Sequence, residues 1–543
     1  MAQSARDRAD LLASYFSGKM CVPAPEKPPP SVPNIVKDKL TNVTTSEAEV
    51  EAVLRKLDEE KAVSPDNLSP RLLRQCAHEL AGPITTLFNE CLRASKWPSA
   101  WKMSSVVPVH KKDDKTSAKN YRPVSLLPVL SKVLESIVAA RVTEHLDKHR
   151  LLCTRQYGFR PGRSAADLHL LLTSEWSAAL DAEKATAVVA LDIEGAFDRV
   201  WHAGLLAKLR GAGVDGPLLQ LFSDYLRERH LKVLVDGQES RVQPVRAGVP
   251  QGSCLGPLLW NVYVNDLLHL IPSMRAYADD LTLSHAFSPG EETASAQHMN
   301  ATLSRIASWG SKWQVRFAPH KTQMLTVSRT RTPLSLTLEG VAIQPRDKVD
   351  VLGVTYDSAL TFRCHIERLA REASGKLAAL RRISWLLDGR GLEVLYKAQV
   401  RSSLEYSCLA WGGAASRHLS LLDRVQARAV RLIRGSGGGQ EPALQTLQHR
   451  RDVAGLTVMF KIQQKRVPHL QPLRQPLRRA RVITRTVASV PEELLLTRCR
   501  TWHHQRQFVY QYVKMWNALL DTHQDFSGMC VQQFKSLVNV WLP

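Results

Sequence analysis

A chain of 543 residues with 44% hydrophobic content can bury a large core, which argues against wholesale disorder and sets a prior of about three or four compact units. Its 73 Lys and Arg against 51 Asp and Glu give a net charge of +22, which favours a polyanionic partner, nucleic acid ahead of an anionic membrane surface. Nine cysteines scattered singly argue against a disulfide framework or a zinc knuckle. Neither a signal-peptide core nor a run of about 18 apolar residues is present, so the expected address is cytoplasm or nucleus, with no membrane partner.

In chain order, residues 1–22 are compatible with a short helix, and six prolines within 23–33 read as an extended linker. A helix is expected from about Ser46, with Val50, Val53, Leu54 and Leu57 on one face, ending before the turn-rich stretch Ser64 to Pro70. A second covers about 70–95, and the strand Val106–Val109 follows. That strand leads into Lys111-Lys112-Asp113-Asp114-Lys115 and Asn120-Tyr121-Arg122-Pro123. Lysines at a hairpin tip are often only solvated. The functional alternative is a cationic arm over a triphosphate, Lys acting as a mobile point charge and Arg as a planar fork.

A helix over 126–146 precedes Gln156-Tyr157-Gly158-Phe159-Arg160-Pro161-Gly162-Arg163, a glycine-containing loop able to approach a nucleic-acid backbone. The β-branched run from Thr186 to Leu191 delivers Asp192 at its tip, with Ile193 and Phe197 just beyond. Phe197 is either core packing or the wall of a nucleotide pocket. Gly248-Val249-Pro250-Gln251-Gly252 is a tight loop, and Pro257 suits the first turn of the next helix. The string Tyr277-Ala278-Asp279-Asp280 between short apolar runs predicts a hairpin with two carboxylates at its tip.

A helix is expected over 291–313, then a short strand at 315–317, a turn at Pro319 and Lys321. A β-hairpin is centred on Leu352-Gly353, and helices are expected over 365–383, 391–406 and 417–434. Arg424, Arg428 and Arg431 share a face of the last, a surface that can follow a phosphate backbone. The glycine-rich run from Gly435 to Gly439 reads as a flexible boundary. From Lys461 to Arg485 there are eight basic residues and no acidic one, read as an irregular nucleic-acid or localisation segment before an aromatic-rich helical end-piece.

Asp192 and the Asp279-Asp280 pair end separate strands, and two strand tips in one sheet would gather three carboxylates able to hold two divalent ions. With the basic balance and the cations at Lys111 and Arg122, nucleotidyl transfer on a nucleic-acid primer is the economical reading.

The ordered set Asn120 to Pro123, Gln156 to Arg160, Leu191-Asp192 through Asp198, Gly248 to Gly252 and Tyr277 to Asp280 resembles the reverse transcriptase of a non-LTR retrotransposon (a long interspersed element) of the jockey or chicken-repeat branch. The resemblance implies an α+β right-hand polymerase with fingers, a palm with an antiparallel sheet and a helical thumb. Its expected boundaries are an N-terminal segment 1–45, fingers 46–175, palm 176–358, thumb 359–435 and a basic C-terminal region 436–543.

By the same resemblance, Asp192, Asp279 and Asp280, with Ile193, would ligate two Mg²⁺, for which Mn²⁺ could substitute. Lys111, Arg122, Phe197, Gln251, Gly252 and Lys321 would contact the nucleotide; Phe197 would exclude a ribose 2′-hydroxyl, and Lys321 would assist pyrophosphate departure as a general acid. Arg160, Arg163, Leu352, Gly353, Arg424, Arg428 and Arg431 would contact template or primer. The implied partners are an RNA template, a DNA primer and deoxynucleoside triphosphates. Asn67 stands where the group usually has Gly, and Ala318 where it often has Asn. The N-terminal stretch has no room for the group's endonuclease and the tail lacks its cysteine-histidine knuckle, which leaves open an endonuclease encoded upstream and an element-encoded RNA-binding protein or endonuclease acting in trans. The alternative reading is a catalytically inactive, retroelement-derived RNA-binding protein.

Overall fold

The computed structural model describes residues 4–61, 66–111, 113–330, 332–436, 444–478, 492–523, 526 and 528–542. Its contacts separate into two compact units, each assembled from distant stretches of chain. The first is Met1–Phe159, Asp192–Pro272 and Thr302–Ala318; the second is Arg160–Leu191, Ser273–Ala301 and Pro319–Pro543.

In chain order the strands are β1 (Met103–His110), β2 (Tyr121–Leu126), β3 (Ala185–Leu191), β4 (Arg229–Val235), β5 (Gln238–Glu239), β6 (Gln243–Val245) and β7 (Met274–Tyr277). They continue with β8 (Asp280–Phe287), β9 (Gln323–Val327), β10 (Leu336–Leu338), β11 (Val341–Ile343), β12 (Lys348–Val351) and β13 (Val354–Asp357).

The first unit holds the sheet β2-β1-β4-β5, with β6 also on β4. The β1–β2 hairpin is antiparallel, whereas β1 and β4 run parallel from Met103↔His230 to Val106↔Val233. One face of this sheet is closed by the N-terminal helix Ala5–Lys19. Ser4 caps it through a reciprocal capping box with Asp7. Its Leu12, Ala13 and Phe16 bury against Val106, Leu231 and Val233. The expected second helix is two, Pro70–Gln75 and Ala77–Ala94, separated at Cys76.

The proline-rich stretch expected to be a linker is docked instead. Gln314 bonds both the amide and the carbonyl of Ala24 at 2.8 Å, the Trp201 indole donates to the Pro25 carbonyl at 3.1 Å, and Ile35 donates its amide to Gly211. Proline lacks the N–H that sheets require but leaves its carbonyls available, and those are what the body of the unit uses. Asn67 has φ 58, the left-handed conformation that Asn tolerates better than most residues, so its departure from the group's usual Gly is accommodated.

The second unit is built on the antiparallel sheet β7-β8-β3-β9, in which the central β3 is almost entirely buried. Helix Ala165–Asp181 packs on it, and its Trp176 meets Tyr356 of β13 edge-on at 4.9 Å. His169 on the same helix shares a 2.8 Å hydrogen bond with the Tyr356 hydroxyl, and burial pushes its imidazole down to about 4. Helices Arg363–Arg382 and Ser416–Ser436 follow as expected. The helix expected over 391–406 is instead Gly389–Leu395, a π-helical turn at Tyr396–Arg401 and Ser402–Glu405. Gly435 and Ser436 end helix Ser416–Ser436, while Gly437 to Gly439 lie outside the described residues.

The C-terminal stretch forms its own aromatic core, with Phe460 stacked on Phe534 at 4.3 Å and Trp516 edge-on to Phe526. Within the basic run, the described part ends a helix at Gln463 and adds a 3₁₀ segment, Pro468–Leu473; residues 479–491 lie outside the described residues. No helix among the described residues is long and apolar enough to cross a membrane.

Candidate active site

In the first unit, the Gly248–Gly252 loop is laced to the segment after Asp192. The Gly248 amide donates to the Val200 carbonyl and the Val249 amide to the Phe197 carbonyl, both at 2.8 Å. Gly248 sits at φ +89, and a Cβ there would lie 2.6 Å from the Asp198 carbonyl oxygen. Gly252, at φ +130, would press a Cβ to 2.4 Å from the Ser125 carbonyl of β2. Only glycine fits either position. The Gln251 carbonyl accepts from the Ser125 amide at 2.7 Å, and its side chain donates to Asp198 Oδ1 at 2.7 Å. Burial pushes the Asp198 carboxyl up, opposed by the Gln251 hydrogen bond and by the charges of Lys19, Lys111 and Arg199.

The Phe197 ring is half-buried between two aromatics: Phe159, perpendicular at 5.9 Å, and Trp260 of helix Gly256–Leu270, at 5.5 Å. Phe159 holds φ 55 and is half exposed. Lys111 and Arg122 are both exposed at the loop end of the β1–β2 hairpin, where Val109 pairs with Arg122 and the Lys111 amide donates to the Asn120 carbonyl. Tyr121 meets His110 edge-on beside them.

A residue that the sequence did not single out holds this region together. Glu135, fully buried on helix Val129–Lys148, accepts the amides of Cys254 at 2.7 Å and Leu255 at 3.3 Å, at the start of helix Gly256–Leu270. Its carboxyl is pushed up by burial, against the Arg229 charge and those amides.

Ile193 forms an antiparallel bridge with Phe317, which stands where a short strand was expected. The bridge uses the Asp192 carbonyl, which accepts from Ala318, and the Glu194 amide, which donates to Arg316. In an antiparallel pair the groups of successive residues alternate sides, so the Ile193 carbonyl points away from that bridge.

In the second unit, Tyr277 of β7 pairs with Asp280 of β8 across a two-residue turn, Ala278-Asp279. Ala278 takes φ 58, a left-handed conformation that such tight turns usually give to glycine, and its side chain is buried. Asp279 is half-buried and Asp280 exposed. β3 is antiparallel to both β8 and β9, with Leu191 opposite Leu281 and Ala190 opposite Gln323. The start of β8, the end of β3 and the start of β9 therefore share one end of the sheet. Asp279 and Asp280 lie there, Lys321 stands two residues before β9, and the chain leaving β3 continues directly into Asp192.

Leu352 and Gly353 form the β12–β13 turn at φ 43 and 85. The Leu352 carbonyl accepts from the Tyr406 hydroxyl at 2.9 Å and the Gly353 carbonyl from Arg368 at 2.7 Å. Arg160 and Arg163 sit in the turn before helix Ala165–Asp181, the Arg163 amide donating to the Arg160 carbonyl. Arg424, Arg428 and Arg431 line one groove with Arg371 and Ser374 of helix Arg363–Arg382.

Asp181, Cys499 and His504 come within metal-ligand spacing of one another. Their hydrogen bonds give them other work. Asp181 accepts the amides of Arg500 and Thr501 and the Thr501 hydroxyl, and His504 Nδ1 pairs with Ser177.

Residues 109–356 match the family model described as reverse transcriptase (RNA-dependent DNA polymerase). The chain carries a reverse transcriptase domain. Its mixed helix-and-sheet architecture is consistent with the expected right-hand fold. The chain is 31% identical over 406 residues to the probable RNA-directed DNA polymerase from transposon BS of Drosophila melanogaster, covering 71% of this chain and 44% of that relative. It is 32% identical over 404 residues to the RNA-directed DNA polymerase from mobile element jockey of the same species, covering 72% of this chain and 44% of the relative. The expected kinship with the jockey group is borne out. The chain spans under half the length, 44%, of these curated relatives.

Reverse transcriptases in general use divalent metal, an RNA template, a primer and deoxynucleotides. The carboxylates of Asp279 and Asp280 at the strand tip are oxygen donors of the kind that suits a hard ion.

Proposed function

We propose that this chain is an RNA-directed DNA polymerase that extends a primer 3′-hydroxyl with deoxynucleotides on an RNA template. The observation that carries the reading is the single sheet end at which Asp279, Asp280, the turn bearing Lys321 and the exit of β3 into Asp192 coincide. Two Mg²⁺, or Mn²⁺ in their place, would when bound activate the attacking hydroxyl and stabilise the charge on the leaving pyrophosphate. Asp192, Asp279, Asp280 and the Ile193 carbonyl are the residues that would hold them.

The rest of the chemistry falls to side chains. Lys111 and Arg122 bind the triphosphate from the β1–β2 hairpin, as mobile charge and planar fork. The wedge of Phe197 between Phe159 and Trp260 gives a rigid wall against a 2′-hydroxyl. Gln251 and Gly252, fixed by β2 and Asp198, lie against the incoming nucleotide, and Lys321 protonates the departing pyrophosphate. Arg160, Arg163, Leu352, Gly353 and the arginines of helix Ser416–Ser436 contact template and primer. Fingers over 46–175, palm over 176–358 and thumb over 359–435 are the corresponding assignments.

Primer extension on an annealed RNA template tests the proposal. Asp279→Asn should lower the extension rate by at least about 10²–10³-fold, the scale of removing one preorganised electrostatic partner, with primer–template affinity retained. Wild-type protein that binds RNA in a salt-dependent manner yet incorporates no deoxynucleotide would instead mark an inactive RNA-binding remnant.

A further inference from the structure

Helix Arg363–Arg382 ends in a 3₁₀ turn, Ser384–Leu386, before helix Gly389–Leu395 begins. That turn leaves Trp385 80% and Leu386 61% exposed, with Val394 58% exposed nearby in sequence. Two large apolar side chains, one of them a tryptophan, exposed on a single turn of a basic surface are what an interaction site presents. The turn is not loose: the Leu386 amide donates to Ile383, and the Ser384 hydroxyl donates to the Arg381 carbonyl at 2.9 Å. A hydrogen-bonded turn thus holds the Trp385 indole out into solvent.

Charge around it identifies the occupant. Arg381, Arg382 and Arg390 flank the turn in sequence and are all exposed. The turn also packs on helix Ser416–Ser436, whose Arg424, Arg428 and Arg431 line the groove with Arg371, a groove whose lining contains no acid. Several nearby acids are engaged elsewhere: Glu367 with Arg363, Glu372 with Arg368, Glu393 with Lys397, and Asp388 capping Gly391. A cationic track beside an exposed indole is the surface that binds nucleic acid by phosphate attraction and base stacking.

An aromatic face stacks only on a base whose own face is open, and a continuous duplex offers none except at its ends. We propose that Trp385 is a stacking platform for an unpaired base, and that it and the arginine groove form a contact for single-stranded nucleic acid. The inference deepens the polymerase reading, since a template has single-stranded portions. Its test needs neither nucleotide nor catalysis.

The test is fluorescence anisotropy of the full chain, without nucleotides, with an end-labelled single-stranded RNA and an internally labelled blunt duplex long enough that its two open ends are a small share of its binding sites. Trp385→Ala should weaken single-strand binding about tenfold and leave the blunt duplex within about twofold, while Trp385→Phe retains single-strand binding. Arg428→Ala should weaken both and reduce the salt dependence. Because Trp385 lies in solvent, an unchanged thermal midpoint in Trp385→Ala separates lost contact from lost fold. No change on single strands, or an equal loss on the blunt duplex, overturns the proposal. Asp279→Asn should bind both ligands like wild type, so failure of the polymerase reading in the extension assay does not masquerade as failure here.

Discussion

Gln251 donates its side-chain amide to Asp198 over 2.7 Å, and this bond ties the glycine-flanked loop to the segment that carries Phe197. Asp198 is buried, and burial pushes its carboxyl up from the usual value while Gln251 holds it down. A carboxyl raised on folding favours stability below its unfolded pKa and loses that contribution as pH rises through the folded value. Gln251→Ala removes the partner and pushes the folded pKa further up. The variant should lose about 1–3 kcal/mol at neutral pH, and the deficit should shrink on acidification as Asp198 takes a proton. Urea unfolding at neutral and at acidic pH checks the sign.

Phe197 carries a different expectation. Its ring is wedged by Phe159 and Trp260, so it presents a fixed edge rather than a side chain able to swing away. Phe197→Ala removes that edge without touching an acid. Use of ribonucleotides relative to deoxynucleotides should rise on the order of 10²-fold, the usual scale for a pocket that no longer rejects one hydroxyl. Single-nucleotide extension with matched ribo- and deoxy-substrates measures the ratio. An unchanged ratio would remove Phe197 from the sugar pocket.

What could be read in the chain beforehand follows the range of the interaction. The Tyr277–Asp280 hairpin, the strand before Asp192 and the start of helix Gly256–Leu270 at Pro257 are local patterns, and the chain folds as they indicate. The apolar strand at Val106–Val109 was visible, but not the parallel partner β4, because nothing local specifies a parallel neighbour. Glu135 was not legible for the same reason. It sits within an apolar helical pattern, and its meaning lies with two amides more than a hundred residues away. Proline content read as linker failed because docking through carbonyls leaves no compositional trace. The one signal for Glu135 was an acid on the buried face of a helix, where an unpaired charge is not tolerated.

Lys208 shows a second buried charge, with a consequence for pH. Its ammonium lies 3.8 Å from the Trp313 ring centre, 4.7 Å from Tyr263 and 4.8 Å from Trp309, and pairs with Asp266 at 2.7 Å. Burial pushes its pKa down to about 8, with Asp266 opposing and Lys312 adding to the fall. A depressed pKa means that the unfolded chain binds the proton more tightly between the folded value and the ordinary value of 10.5. Stability therefore rises with pH across that window, by at most about 3 kcal/mol. Lys208→Met keeps the aliphatic packing among the rings and removes the titrating group. The variant leaves Asp266 without its partner, so its stability at neutral pH is set by that loss as well, but it should lose the alkaline rise. Urea midpoints at about pH 7 and about pH 9.5, compared between the two proteins, read the slope directly. A wild-type midpoint that is flat or falling across the window, or a rise that persists in Lys208→Met, would contradict this account.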